Sequence, residues 1–508
     1  MAPTDGRLGG APHWDEDLGA PPADLTAVVA RGVLWKGLTR VVTSVTKLVV
    51  LVVLVRLLSP REYGIAGMAM VVASFVMIFT DPALAAAIVQ RPRLDERDRS
   101  TVFWLATGLG AILMLAGMAS AGLVADFFDE PQVESLFAAS SVCFFVAALA
   151  VAHRGLLQRK LAYRSLEIRE MVAVVTGGGV AIVIAFAGFG PWAIVANFIA
   201  YTVASTVLLW IMLDWRPRLV FSSVSARNLG SFSFLVFLAT LLSWGNQNVD
   251  RALVGRVLGA PALGAYSLAQ STMNMPTALL GQPLHQVVSP AYARIQAEPA
   301  RLQRAWLTSK TVSVGAVLPA LLGLAVLAPD FVQAVFGAKW DDAVLPLRLL
   351  CLGGVANSLM ALNWSVLQAT GEARVLVRVM VLSSLVTWSA FALGLSWGIV
   401  GVAAMYALAR WVLVVPATAL TTRALGFKLR PAIRAGLRTL PLAMAAALAG
   451  LLVRLSLVEA GLPAWARLVA AGAAIALTYG LLVLLVAPSL VAHLARALRR
   501  GADERLVS

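Results

Sequence analysis

The feature that most constrains this chain is a succession of apolar runs, separated by short polar stretches, that extends from residue 31 to residue 487. Each run is roughly 20 residues long, enough to cross the ~30 Å hydrocarbon layer as a helix. A backbone in lipid must satisfy its own N–H and C=O groups, so a helix is the economical way to cross. Composition agrees, since 60% of residues are hydrophobic and 13% charged, with a mean hydropathy of +0.83. A soluble domain carries about 25% charged residues. The fold class that follows is all-α: a polytopic membrane protein with fourteen candidate transmembrane helices. They lie near 31–58, 63–88, 101–124, 135–156, 170–188, 191–213, 230–257, 263–290, 309–328, 343–368, 375–394, 397–421, 436–457 and 466–487.

Lys and Arg set the orientation, because cytoplasmic loops carry their excess. Even-numbered loops and the C-terminal tail hold Arg91, Arg93, Arg97 and Arg99; Arg154, Arg159, Lys160, Arg164 and Arg169; and Arg216, Arg218 and Arg227. They continue with Arg294, Arg301, Arg304 and Lys310; Arg374 and Arg378; Arg423, Lys428, Arg430, Arg434 and Arg438; and Arg496, Arg499, Arg500 and Arg505. Odd-numbered loops hold only Arg61, Lys339, Arg454 and Arg467, which makes 27 basic residues against four. Both termini are therefore expected in the cytoplasm, and the alternation requires an even number of spans. The net charge of +15 is explained by this asymmetry and does not point to nucleic acid. Cys143 and Cys351 fall inside apolar runs, and the four histidines have no ligand spacing, so no disulfide framework, metal site or cofactor is expected. No loop is long enough for an extramembrane catalytic domain, which disfavours an enzyme.

An internal repeat emerges at an offset near 200 residues. Leu54-Val55-Arg56-Leu57-Leu58-Ser59 with Gly64 matches Leu253-Val254-Gly255-Arg256-Val257-Leu258-Gly259 with Gly264. Leu157-Gln158 answers Leu367-Gln368, and Gly190-Pro191-Trp192-Ala193 answers Gly398-Ile399-Val400-Gly401. Transporters are commonly built from such repeats. The domain reading is a disordered cytoplasmic tail (1–30), a lobe of six spans (31–213) and a cytoplasmic linker (214–229). A second six-span lobe (230–425), an appended pair of spans (426–490) and a cytoplasmic tail (491–508) follow.

Arg56-Leu57-Leu58-Ser59-Pro60-Arg61-Glu62-Tyr63-Gly64 resembles the hallmark after the first helix of Wzx-type polysaccharide transporters. These are oligosaccharide flippases of the multidrug, oligosaccharidyl-lipid and polysaccharide exporter superfamily. Leu157-Gln158-Arg159-Lys160-Leu161-Ala162-Tyr163-Arg164, Gly190-Pro191-Trp192-Ala193, Phe336-Gly337-Ala338-Lys339-Trp340 and Leu367-Gln368-Ala369-Thr370-Gly371 resemble further stretches of the colanic-acid-exporter-like branch. The resemblance runs from about residue 31 to 425. It implies two six-helix bundles around a central cavity in a bacterial inner membrane, moving an undecaprenyl-diphosphate-linked oligosaccharide by alternating access. A polysaccharide polymerase and glycosyltransferases are the implied partners.

The hallmark has its own physics. Ser59 can cap the second helix, Pro60 suits its first turn, and Glu62 completes a capping box, so a structural turn is expected there. Arg56 and Arg256 are expected to snorkel, and Gly177, Gly178 and Gly179 to allow close helix packing.

The first span carries the candidate substrate site. Lys36, Arg40 and Lys47 recur at i, i+4 and i+11, within about 40° of one another on a stripe about 16 Å long. One charge at the centre of a spanning helix costs about 2.5–3.5 kcal/mol, so three on one face imply water or an anionic partner, with snorkelling as the competing explanation. Lys47 is the deepest of them. In the seventh span Thr240, Ser243, Gln247 and Arg251 share a face, with Asp250 at its edge, and in the eighth Gln270, Asn274 and Thr277 do. Guanidinium and ammonium groups bind phosphate oxygens strongly. Lys36, Arg40, Lys47 and Arg251 are therefore the candidates for a diphosphate, and Gln247, Gln270 and Asn274 for sugar hydroxyls. These neutral polar residues are equally suited to hold helices together. Asp81, Asp250 and His285 are candidate coupling-ion groups. The competing readings are a murein-precursor flippase, a multidrug antiporter of the same superfamily, and a membrane-embedded enzyme of glycan assembly.

The charge asymmetry predicts the outcome of cysteine labelling from outside. Cysteines introduced near Asp129 and Lys339 should react with an impermeant reagent and those near Arg97 and Arg434 should not; the reverse pattern refutes the topology.

Overall fold

The computed structural model describes residues 25–79, 88, 94–222 and 233–486, leaving aside the side chains of 25–38, 233–239, 286 and 287. Asp81 and most of both expected tails lie outside the described residues, and Lys36 is described by its backbone alone. Among the described residues every regular element is helical.

Helix α1 (Leu25–Leu57) supplies the first span and α2 (Pro60–Met77) begins the second. Between them Ser59 N–H donates to Glu62 Oε2 at 2.8 Å and Glu62 N–H donates to Ser59 Oγ at 3.3 Å, the reciprocal box expected from the sequence. The third span is α3 (Glu96–Ala119) continued by α4 (Ala121–Phe128). The fourth is broken, with α5 (Gln132–Ala148) and α6 (Val151–Arg159) meeting at 42°. The break frees carbonyls that lipid cannot satisfy. Helix α8 (Trp192–Met212), which follows α7 (Tyr163–Phe186), supplies donors to them. Thr206 Oγ1 donates to Val146 O and Trp210 Nε1 to Leu149 O, each at 3.0 Å.

Spans seven and eight form one continuous element, α9 (Ser233–Pro276), turned at Gly259, whose φ of 79° favours glycine. A π-turn at Thr277–Gly281 leads into α10 (Gln282–Arg294). Helix α11 (Pro299–Phe331) ends in a second π-turn, Val332–Phe336, and a short 3₁₀ segment, Ala338–Ala343. Then come α12 (Val344–Ala369), α13 (Ala373–Gly394), α14 (Gly398–Ala424), α15 (Leu429–Leu437), α16 (Leu440–Glu459) and α17 (Ala464–Val486). As far as the described residues reach, the expected spans recur in order as helices, with the fourth bent and the ninth starting earlier than its apolar run.

The chain forms two compact units. The first holds residues up to Leu54, Val72–Ala125 and Pro131–Leu241; the second holds Val55–Val71, Asp126–Glu130 and everything from Leu242 onward. The first unit is built on α3 packing against α5 and α7 against α8. Gly177 and Gly178 permit close packing there: a Cβ on Gly178 would lie 2.5 Å from Val50 of α1, and one on Gly177 2.9 Å from Asn197 of α8. Gly179 differs, because nothing lies within 4 Å of its Cβ direction.

In the second unit α12 packs between α11 and α14, and α16 and α17 lie on α11. A cluster of Leu327, Ala446, Ala471 and Ile475 seals that last contact. It also contains an ion triad. Asp330 of α11, 1% exposed, lies 2.7 Å from Arg467 of α17 and pairs with Arg454 of α16. The last two spans are thus fastened to the second unit by charge as well as by apolar contact.

The repeat becomes physical in the glycines. Gly190 and Gly398 both have positive φ, 54° and 66°. A Cβ on Gly64 would lie 1.8 Å from the Ala260 carbonyl oxygen, and one on Gly264 1.9 Å from that of Pro60. The partners are themselves related by the 200-residue offset, so the contact is self-complementary, as a two-fold axis requires.

Two expectations need correction. Arg56 and Arg256 do not simply snorkel. Arg56 donates from Nε to Val335 O at 2.8 Å and from a terminal nitrogen to Ala334 O, while Arg256 sits 5.6 Å from the centre of the Phe127 ring. Lys310 is not a loop cation either. It lies within α11, 2% exposed, with Nζ 5.2 Å from the Trp306 ring centre and 3.5 Å from Asn363 Oδ1.

The ion triad makes a stability prediction. Asp330→Ala leaves Arg454 and Arg467 facing each other without their carboxylate, a loss of about 3–5 kcal/mol. The unfolding temperature of the purified protein in detergent should fall further for Asp330→Ala than for Arg454→Met or Arg467→Met alone.

Candidate functional site

Within the first unit, α1 presents three distinct faces. Thr46 and Val50 point at Gly178 of α7, and Thr39 and Thr43 are buried on the same side. Val41, Val45, Leu48 and Val49 form an exposed apolar row, 41–62% accessible, suited to lipid. Arg40 and Lys47 lie about 120–145° round from that row at 100° per residue, on a third face. Arg40 is half-buried and its carbonyl accepts from Thr43 Oγ1 at 3.2 Å. Lys47 is exposed and has no hydrogen-bond or ion-pair partner among the described residues. Ten residues separate it from the end of α1 at Leu57, which places it about 15 Å from that end. A lysine stem cannot carry its ammonium across that distance to the surface. The face therefore holds an exposed cation well inside the length of α1 that neither the unit's own core nor the apolar row accounts for.

Within the second unit the candidates are drawn together by hydrogen bonds. Asp250 is fully buried and Gln270 is 7% exposed. Tyr266 OH donates to Asp250 Oδ2 at 2.8 Å, Gln270 Nε2 donates to the same oxygen, and Arg251 N–H donates to Asp250 Oδ1 at 2.9 Å. Arg251 Nε donates to Gln270 Oε1 at 2.6 Å. The two arms of α9 on either side of Gly259 are thus joined through a carboxylate, an amide, a phenol and a guanidinium. Burying a carboxylate is costly unless its oxygens are occupied, and here three donors occupy them. Gln247 is exposed and folds back on Ser243 O at 3.1 Å, Asn274 is exposed, and Asn246 Nδ2 donates to Ser384 Oγ at 2.9 Å. His285 Nδ1 lies 3.4 Å from Ser365 Oγ. Gln247 and Lys47, related by the repeat, are both exposed.

Sequence reasoning missed two groups. Tyr266 completes the Asp250 cluster, but its spacing from Asp250 crosses the break at Gly259, so no helical period points to it. In the first unit Glu170 accepts from Tyr201 OH at 2.8 Å and pairs with Arg169 at 3.1 Å. With Arg154, Thr202, Ser205 and Thr206 they line a cavity of about 390 Å³. The available signal was Glu170, an acid just inside the fifth apolar run. A larger cavity of about 660 Å³ in the second unit is almost wholly apolar, walled by Met275, Leu279, Leu280, Leu324, Ile475 and Ala476 among others.

Known proteins match at three levels. A family model described as "Polysaccharide biosynthesis protein" matches residues 53–346. The lipopolysaccharide biosynthesis protein WzxC of Escherichia coli (strain K12) is 29% identical over 334 residues, 64% of this chain and 67% of that protein. The teichuronic acid biosynthesis protein TuaB of Bacillus subtilis (strain 168) is 26% identical over 351 residues, 69% of this chain and 73% of that one. In fold, the chain is similar to the lipid II flippase MurJ, with a TM-score of 0.72 over 90% of this chain and 99% of that one at 14% identity. A multidrug resistance MATE family transporter follows, with a TM-score of 0.58 over 76% and 94% at 15% identity.

The Asp250 network predicts that Gln270 is structural whatever else it does. Gln270→Leu removes a donor from Asp250 and the acceptor of Arg251, a loss of about 1–3 kcal/mol, measurable as a lower midpoint of thermal unfolding in detergent.

Proposed function

The chain belongs to the polysaccharide biosynthesis protein family, and on that premise we propose that it carries an undecaprenyl-diphosphate-linked oligosaccharide from the cytoplasmic to the outer leaflet of a bacterial inner membrane, with both termini in the cytoplasm. The observation that carries this reading is Lys47, an exposed cation about 15 Å along α1 from its end at Leu57 with no hydrogen-bond or ion-pair partner among the described residues. Lys36 and Arg40 continue its stripe toward the side rich in basic residues, and Arg251 is the cationic candidate within the second unit. A diphosphate is a compact polyanion, and such groups hold phosphate oxygens by charge-assisted hydrogen bonds. Gln247 and Asn274, both exposed, are the groups offered to sugar hydroxyls, Gln270 serves by holding Asp250 and Arg251 in place, and the large apolar cavity suits a hydrocarbon chain. Asp250 and His285 are the coupling-ion candidates. Repeat-built transporters alternate access by rocking one repeat against the other, so the anion would pass between cations at different depths and never enter bare hydrocarbon. A cation-exporting antiporter would need carboxylates where this helix face carries amines.

The partners in this reading are the glycosyltransferases that build the lipid-linked glycan and the polymerase that consumes it. Proteoliposomes loaded with diphosphate-linked and monophosphate-linked glycolipids test the reading directly. Lys47→Arg should retain transport. Lys47→Gln should lose tenfold to a hundredfold in binding, from the about 1.5–3 kcal/mol of one charged hydrogen bond, with normal expression and insertion. Normal transport in each of Lys36→Gln, Arg40→Gln and Lys47→Gln would show the stripe to be structural.

A further inference from the structure

Arg410 is a cation for which the chain supplies no counter-charge. It lies in α14, twelve residues from the start at Gly398 and fourteen from the end at Ala424, about 18 Å and about 21 Å along the helix. An arginine stem spans neither distance, so snorkelling does not explain it. Half-buried, it stands well inside a helical stretch apolar enough to cross a membrane. No acidic residue occurs between Glu372 and Glu459, and α12 has none. Asp250 and Asp330 in the same unit already have partners of their own. Among the described residues Arg410 makes no ion pair and no side-chain hydrogen bond, and its Nε is buried without an acceptor. Its cation–π contact, with Cζ 5.1 Å from the centre of the Tyr406 ring, moderates the charge without neutralising it.

The guanidinium lines a cavity of about 190 Å³ whose walls are α12, α13 and α14, all of the second unit. Its other polar groups are Asn357 and Asn363 of α12 and Ser383 of α13. Asn357 and Ser383 make no side-chain hydrogen bond among the described residues. Asn363 Nδ2 donates to Thr418 Oγ1 at 3.2 Å, and its Oδ1 lies 3.5 Å from Lys310 Nζ. Lys310, 2% exposed and likewise without a carboxylate, sets a second positive charge behind that amide. The cavity therefore combines a guanidinium, two amides and a hydroxyl with no acidic group in any of the three helices. A charge taken out of water needs an opposite charge and hydrogen bonds to hold it, and every charged group at this cavity is a cation.

We propose that this cavity binds a small monovalent inorganic anion of the halide class, which serves as the counter-ion of Arg410. The guanidinium donates charge-assisted hydrogen bonds to it, and the Ser383 hydroxyl and the amide N–H groups of Asn357 and Asn363 complete its shell. A single guanidinium reaches the cavity, and the remaining wall, which includes Met360, Leu376 and Val379, is too apolar to solvate a second negative charge. The volume holds an ion with part of its hydration and excludes a glycan. The site is complete within the second unit and depends on neither Lys47 nor the cargo. An anion that binds the folded chain and not the unfolded one stabilises it in proportion to its occupancy.

The test follows thermal unfolding of the purified full chain in detergent while chloride replaces gluconate at constant ionic strength and pH. The midpoint should rise with chloride and level off as the site fills, and bromide should act in the same way. Arg410→Gln should weaken the apparent chloride affinity about tenfold or more, the effect of losing one charged hydrogen bond. Asn357→Asp sets a carboxylate in the same cavity, so it should raise the midpoint in gluconate and remove the response to chloride. If Arg410→Gln does not insert, Asn357→Asp decides alone. A wild-type midpoint indifferent to chloride overturns the proposal. So does an equal chloride response in the wild type and either variant, which marks a general salt effect, and so does stabilisation by inorganic phosphate without any by chloride. No cargo enters the measurement, so the anion site stands or falls independently of the transport reading.

Discussion

The structure depends on one constraint: wherever a helix ends or breaks near hydrocarbon, its free carbonyls need a donor that water cannot supply there. Long side chains from other helices meet it. The break between α5 and α6 is served by Thr206 and Trp210 of α8. The end of α1 is served by Lys339 and Trp340, and the end of the Val332–Phe336 turn by Arg56. Each of these bonds joins segments far apart in sequence, so backbone satisfaction and helix packing are the same event in this protein.

Charges in the apolar layer obey a related rule and divide by how it is met. Asp330 has two guanidiniums, and Asp250 has a phenol, an amide and a backbone N–H. Both carboxylates have charged or polar partners, and each ties together segments that apolar contact alone would hold less specifically. Lys310 lies against the Trp306 ring near an amide oxygen. Lys47 stands apart, exposed at depth on a face shared with Arg40. A position that costs about 2.5–3.5 kcal/mol on insertion and forms no hydrogen bond or ion pair among the described residues is one that a ligand can make use of.

Much of this was legible beforehand, for identifiable reasons. The capping box at Ser59 and Glu62 was readable because its chemistry acts over three residues. The repeat was readable at Gly64 and Gly264, and at Gly190 and Gly398, because each pair serves the same backbone geometry in both halves. Arg56 and Arg256 were misread as snorkelling, because a cation at a helix end looks the same in sequence whether it reaches water or a distant carbonyl. Lys310 was misread because it stands at the second residue of the expected ninth span, where a cation at the edge of an apolar run is counted with the loop. Of the candidate site, the stripe on α1 followed from period alone, whereas Tyr266 sits beyond the turn at Gly259, where helical period no longer applies.

By itself the sequence determined an all-helical polytopic chain, the order of its spans and its two-fold internal repeat. Those properties rest on local quantities: hydropathy summed over twenty or so residues, glycine at turns, and side-chain spacing along one helix. Only the tertiary structure decided that Val55–Val71 belongs with the second half of the chain, that Lys339 and Arg56 cap each other's helices, and which groups pair with Asp250 and Asp330. Those outcomes join residues up to 283 positions apart, and the acceptors are often backbone oxygens, which every residue possesses. No pattern of side chains along the chain can announce which carbonyl a given cation will find.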